Sequence, residues 1–379
     1  MNSAMQKQYA PDTVSPPGAT LADMIMERRM TQAQLALQMK RPKKTINEII
    51  KGKAEITPET ALQLEHVLHT PAAFWLRRES AYREHLARRE EAKALRGQLS
   101  CLKDLPMRAM IDLGWLEDLQ DPAARMLQVL NFFRVAKPGA LQQLDAAVGI
   151  PMFRRSTTFQ SDPYALAAWL RRGEMEAEKI DTPAYDEVRF RDSLRRVRAL
   201  SRQPPEVFEP EMRRCCAEAG VVILLVPELP KTCVSGVARW IADRPVIQLS
   251  LRHKTDDHLW FTFFHEAAHI LQHGRGEIFV DEKRRADADD ADDTADSKAP
   301  EDVREHEANE AAAEFLVPKG DITRFLATHS VISKASIVTF AAQLGVAPGI
   351  VVGHLQHRGR LPYAHCNELK VRLSWTNRT

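Results

Sequence analysis

The sequence predicts a mainly α protein with one small α+β domain toward its C-terminal end. Three observations lead there. From residue 19 to about 200, apolar residues recur at helical spacing between short polar breaks. From 207 the texture changes: Val221–Val226 is an aliphatic run that reads as a buried strand, and Val246–Leu251 alternates like a half-buried one. A long helical pattern from about Asp256 to His273 follows. A chain of 379 residues fits two or three domains. The expected organisation is a leader at 1–18, a helical domain at 19–96, a helical connector at 97–205, the α+β domain at 206–320, and a helical tail at 321–379.

The leader is rich in Pro, Ser and Gly and is expected to be mobile. The helical domain reads as five helices. Thr31-Gln-Ala-Gln34 is a capping box opening a helix whose apolar face is Leu35, Ala36 and Met39. Lys40–Pro42 is the turn. A helix from Lys43 to Lys51 turns Ile46, Ile49 and Ile50 inward, and Gly52 ends it. Thr57-Pro58 places a cap before a proline at the first helical position, starting a helix with Leu62, Leu64 and Val67. Phe74, Trp75 and Tyr82 line the next one, which runs into the charged stretch Arg83–Arg96. Residues 28–53 hold eight Lys/Arg and one acid, Glu48. That charge on two helices joined by a short turn is the footprint of a DNA major-groove reader. Lys43, Lys44, Thr45 and Asn47 open the second helix. The lysines suit phosphates, while Thr45 and Asn47 suit base edges.

The connector repeats Trp169 and Leu170, then Phe190, Leu194, Val197 and Leu200, at helical spacing. The chemistry lies in the next domain, in His265-Glu-Ala-Ala-His269. Two imidazoles at i and i+4 share one helix face, a spacing that suits two ligands of a tetrahedral Zn2+. Glu266 sits beside them as the candidate general base. The third ligand must lie elsewhere. The metzincin pattern is excluded, because its glycine and third histidine positions are Gln272 and Arg275. His273 lies about 12 Å along the axis from His265, too far to share one ion, and is expected to cap the helix or support the site from outside the ligand set. Downstream, the Ala-rich helix from about Arg304 to Leu316 offers Glu307, Glu310 and Glu314. Between the two helices, 281–305 holds 11 acidic and 5 basic residues, and 281–302 is expected to be a solvated acidic loop.

HEAAHILQHG followed by REHEANEAAAEFLVP resembles the ImmA/IrrE family of bacterial and phage zinc metallopeptidases, over about 207–355. That resemblance implies a zincin-like peptidase fold, Zn2+ as cofactor, Glu266 as catalytic residue, and Glu307 as the ligand beside His265 and His269. This chain departs from the family in its acidic spacer and at Ala311, where a large residue is usual. TQAQLALQMKRPKKTINEIIKGKAEITPETALQLEHVLHTPAAFWL resembles the XRE-type, lambda-repressor-like domain of HigA-like antitoxins and repressors. It departs where Lys40 replaces the usual turn glycine, which predicts a looser turn. The resemblance implies a homodimer on a double-stranded DNA operator. Together the two imply a transcriptional regulator that cleaves a repressor or antitoxin; the alternative is a HigA-like repressor whose zincin domain senses without cleaving. A weaker signal, 339–358, has helix–turn–helix spacing that packing alone would explain.

Composition sets outer bounds. The net charge is +2, yet residues 1–100 carry 16 basic against 11 acidic residues and residues 201–379 carry 22 against 26. The two ends therefore suit different partners. No apolar run approaches the 18 or more residues of a membrane span, and the N-terminal residues have no apolar signal segment, so no membrane partner is expected. Five cysteines without a C-x-x-C pair point away from a disulfide framework and toward a reducing, cytoplasmic setting near the nucleoid. Cys215 and Cys216 are expected to be packing residues.

Overall fold

The computed structural model describes residues 14–144, 162–273, 279–280 and 303–375. Most of the expected leader and all of the acidic loop 281–302 lie outside these. The chain divides into two compact units, 1–99 with 121–124 and 100–120 with 125–379.

The first unit contains five helices among the described residues: α1 (Pro17–Glu27), α2 (Gln32–Gln38), α3 (Lys43–Ile50), α4 (Pro58–Leu68) and α5 (Ala72–Arg96). Local signals fix their ends. Thr31 and Gln34 form the reciprocal capping box of α2. The Thr57 hydroxyl accepts from the Thr60 N–H at the start of α4, and Pro58 holds its first position. Leu21, Leu35, Ile46, Leu64 and Trp75 close a core with no exposed surface. The α2–α3 turn is tight, contrary to the looser one expected. Lys40 adopts the left-handed conformation, φ 51°, that glycine usually supplies. The turn closes with Arg41 N–H donating to Ala36 O at 2.9 Å. Burial of Leu35, Ala36, Met39 and Ile46 on either side holds it there, against a left-handed strain of roughly 1–2 kcal/mol.

The second unit does not follow the boundary expected at 205. Helices α6 (Met107–Asp112), α7 (Pro122–Phe133, whose first turn falls in the first unit), α8 (Pro163–Ala177) and α9 (Glu187–Ala199) precede α10 (Pro205–Ala217) and a four-stranded sheet. The strands are β1 (Val222–Leu225), β2 (Gly236–Ile241), β3 (Arg244–Leu249) and β4 (Phe279–Val280), in the order β1-β3-β2-β4. β1 runs parallel to β3, and the other pairings are antiparallel. The expected connector helices belong to this core. Trp169 Nε1 donates to Val226 O at 3.1 Å, and Gln248 Nε2 on β3 donates to Trp169 O at 2.8 Å. Phe190, Leu194 and Val197 are fully buried, and so are Cys215 and Cys216, as packing residues.

Helix α11 (Asp256–Gln272) crosses beneath the sheet and packs on α12 (Val303–Leu316) and α15 (Pro348–His357). Trp260, Phe263 and Phe264 supply its buried aromatic side. Helices α13 (Lys319–Thr328) and α14 (Lys334–Leu344) complete the tail. α14 and α15 meet at 111° across Gly345, φ 73°. Ile337, Phe340, Val351 and Leu355 put that pair into the core, the packing role its spacing allowed. One guanidinium joins three elements: Arg198 of α9 donates to Phe315 O, Leu316 O and Leu344 O at 2.6–3.0 Å. No single described helix is long and apolar enough to cross a membrane.

The start of α11 is clamped from the C-terminal side. Asp256 N–H donates to Val371 O, Val371 N–H donates to Asp256 Oδ1, and Lys370 pairs with Asp257 at 2.7 Å. Gly349 and Gly353 of α15 leave room for these carboxylates: a Cβ at either would lie 2.6–2.7 Å from an Asp oxygen. Burial pushes the Asp256 carboxyl up to about 6, against the pull of the Val371 N–H. Burial, with Arg358 nearby, pushes His354 down to about 4. The signs oppose. The Asp256 contribution is full below its unfolded value near 4 and is lost as pH rises through about 6. The His354 contribution is full above about 6.5 and is lost as pH falls through about 4. Asp256→Asn should remove the first slope. Its unfolding free energy, from urea titrations of the full chain, should rise between pH 4 and 6.5 and exceed wild type by up to about 3 kcal/mol above pH 6. Parallel pH curves for variant and wild type would refute this.

Candidate metal centre and DNA-reading helix

The side chains that could hold a metal meet because two helices pack through small residues. On α12 the buried positions are Ala308, Ala312 and Leu316, spaced four apart along one face. Glu305, three residues before Ala308, extends that face toward α11. Phe264 and Phe315 stack at 5.6 Å farther along the pair. His265 and His269 are buried, 2% and 1% exposed, on the opposing helix.

His265 Nε2 and His269 Nε2 stand 3.1 Å apart. Glu305 Oε2 lies 3.3 Å from the first, and Oε1 lies 3.5 Å from the second. Ligand atoms 2.0–2.2 Å from a tetrahedral zinc stand roughly 3.3–3.5 Å apart, so these side chains fit Zn2+ by donor type and by spacing. Two imidazoles and one carboxylate leave a fourth position open, the pattern of catalytic zinc sites. Burial lowers the His269 pKa, which keeps its imidazole neutral and its lone pair available. Burial pushes Glu305 up, but hydrogen bonds with both histidines outweigh it and hold the carboxyl near 2.

Glu305 stands where the sequence reading expected Glu307. Glu307 points away from the pair and meets His273, with 3.2 Å between its Oε2 and His273 Nε2. The reason is helical register. Glu307 does not share the face of Ala308 and Ala312, and its side chain is 54% exposed. Glu310 pairs with Lys319, and Glu314 accepts from the Lys319 N–H, so neither reaches the histidines. The buried alanines were the available signal: counting back one turn from Ala308 and two from Ala312 lands on Glu305.

Glu266 is fully buried beneath the first residue of β2. A Cβ at Gly236 would lie 2.8 Å from Glu266 Oε1 and 2.5 Å from Thr262 Cγ2. Glycine is therefore required for that strand to pass over the glutamate, a role that sequence reasoning missed because β2 itself was not anticipated.

In the first unit, Lys43 and Lys44 are exposed on the first turn of α3, and Thr45 and Asn47 are half-buried. Buried Ile46 and Ile49 fix which side of α3 faces out. Lys44 reaches Glu48 at 3.9 Å with its side chain 83% exposed, a pair worth little that phosphate would displace. Thr45 lines a cleft with Arg41, Lys53, Glu55, Thr57 and Arg83, in which Arg41 pairs with Glu59 and Arg83 with Glu79.

Comparison with known proteins agrees with this division. Residues 21–75 match the helix-turn-helix family, and residues 216–355 match the IrrE N-terminal-like domain family, a peptidase group. No curated protein matches the chain. Among solved structures, the antitoxin HigA of Pseudomonas aeruginosa with its promoter is 29% identical over 22% of this chain and 90% of its own, at a TM-score of 0.21. A HigA-family antidote protein of Coxiella burnetii is 28% identical over 23% and 96%, at 0.21. A Pseudomonas aeruginosa protein solved with its 18-bp operator DNA is 30% identical over 20% and 82%, at 0.19.

Glu305→Ala should leave the purified chain with far less than stoichiometric zinc after loading and desalting, by atomic absorption, while Glu307→Ala loaded with excess zinc should stay near stoichiometric. The reverse ranking would return the ligand role to Glu307.

Proposed function

We propose, from a chain that joins an XRE-type helix-turn-helix domain to an ImmA/IrrE-type peptidase domain, a DNA-binding regulator that cuts one regulatory protein, a repressor or antitoxin, by zinc-dependent hydrolysis. The observation that supports cleavage over sensing is Glu266, fully buried beside His265 and roofed by Gly236. Metal capture alone does not need that carboxylate.

His265, His269 and Glu305 would hold Zn2+. When bound, zinc supplies Lewis acidity that polarises a peptide carbonyl and makes water more acidic. The chain's own residues do the rest. Glu266 accepts the proton of the attacking water and returns it to the departing amine. The strand β2 above it positions the acid, and the buried aromatic side of α11 keeps the two imidazoles in one register. On the DNA side, Lys43 and Lys44 neutralise phosphates while Thr45 and Asn47 read base edges, as a homodimer on a palindromic operator in the cytoplasm.

Two experiments test this reading. Cells carrying wild type or Glu266→Gln are compared by quantitative mass spectrometry. Zinc should stay bound in both, and one protein should appear as cleaved fragments only with wild type. Identical fragment patterns would leave the sensing repressor as the reading. For DNA, Lys43→Ala with Lys44→Ala should weaken operator binding and flatten the slope of log affinity against log salt by about 2, one per lost phosphate contact. An unchanged slope would remove α3 from the groove.

A further inference from the structure

Two side chains outside the ligand set continue from the metal site in a line. His269 Nδ1 lies 3.0 Å from His273 Nδ1, and His273 Nε2 lies 3.2 Å from Glu307 Oε2. His273 is 8% exposed and stands at the end of α11, where its N–H donates to His269 O and helical backbone gives way to extended. That end lets its ring turn back along the helix onto His269.

The proton positions follow from the geometry. If His269 offers Nε2 to zinc, its proton sits on Nδ1 and donates to His273 Nδ1. His273 then carries its own proton on Nε2, which donates to the Glu307 carboxylate. Each nitrogen has one role, and the line ends on an anion. A ligating imidazole whose second N–H is held in this way is fixed in tautomer and ring plane and is a stronger donor to the metal.

We propose that His273 and Glu307 are positioning residues for the zinc site: Glu307 anchors His273, and His273 fixes His269 as an Nε2 ligand. This rests on the metal-site reading above and gives Glu307 a function it performs without touching the ion.

The test uses the purified full chain and zinc or cobalt(II) alone. Zinc affinity, read by competition with a chromophoric chelator, should fall about 10–100-fold in His273→Ala and in Glu307→Ala. Glu307→Gln keeps an oxygen that accepts from His273 Nε2 and should recover most of the loss. The cobalt(II) absorption envelope should keep its wild-type shape in all three, because the ligands are unchanged. If His273→Ala does not fold by circular dichroism, the exposed Glu307 variants still give the answer. Wild-type zinc affinity in Glu307→Ala would overturn the proposal. An altered cobalt envelope in Glu307→Ala would also overturn it, by making Glu307 a ligand. Failure of the wild-type chain to bind zinc would overturn the metal reading itself, and the proposal with it.

Discussion

The close packing of α12 on α11 is the constraint on which the candidate site depends. Alanine side chains at 308 and 312 let the second helix approach the one that carries His265 and His269, and the approach carries Glu305 to within 3.5 Å of both imidazoles. Larger residues there would hold the carboxylate off. The same contact brings Glu307, on the neighbouring face, to His273. Glu305 and the Glu307 that meets His273 therefore come from one helix pair, two residues apart, and a change in the spacing of the pair would move both.

The rest of the second unit keeps α11 in place. The sheet covers one side, with Gly236 allowing β2 to pass over Glu266. The Asp256 and Asp257 clamp fixes the start of the helix through Lys370 and Val371, and α15 makes space for it with two glycines. Arg198 ties the end of α12 to α14. A helix held at its start, along its length and at its neighbour's end presents His265 and His269 in one geometry. The preorganisation of the two imidazoles is thus a property of the whole unit.

Local signals were legible in the sequence, and signals that depend on three-dimensional neighbours were not. Capping residues Thr31 and Thr57 marked helix starts, and isoleucine periodicity marked the buried side of α3, because these effects act within a few residues. The hairpin of β2 and β3 escaped notice because its turn uses Ala242 at φ 54° instead of glycine or asparagine. The connector helices read correctly as helices, but their membership of the second core depends on hydrogen bonds such as Gln248 to Trp169, made across 79 residues. The glutamate that reaches the two histidines stands two residues before the one expected, since the register of one helix face against another is a property of the pair. Charge followed the same pattern. The basic excess spreads over residues 28–53, of which α3 holds Lys43 and Lys44 against Glu48, whereas the cleft joining Thr45 to Lys53 and Arg83 appears only once the helices pack.

The zinc site we propose consists of His265, His269 and Glu305 together. The most direct measurement is an anomalous difference map at the zinc edge from crystals of the zinc-loaded full chain. One strong peak should lie about 2.0–2.2 Å from His265 Nε2, His269 Nε2 and a Glu305 oxygen. A peak bonded to Glu307, or one away from the two histidines, would contradict it.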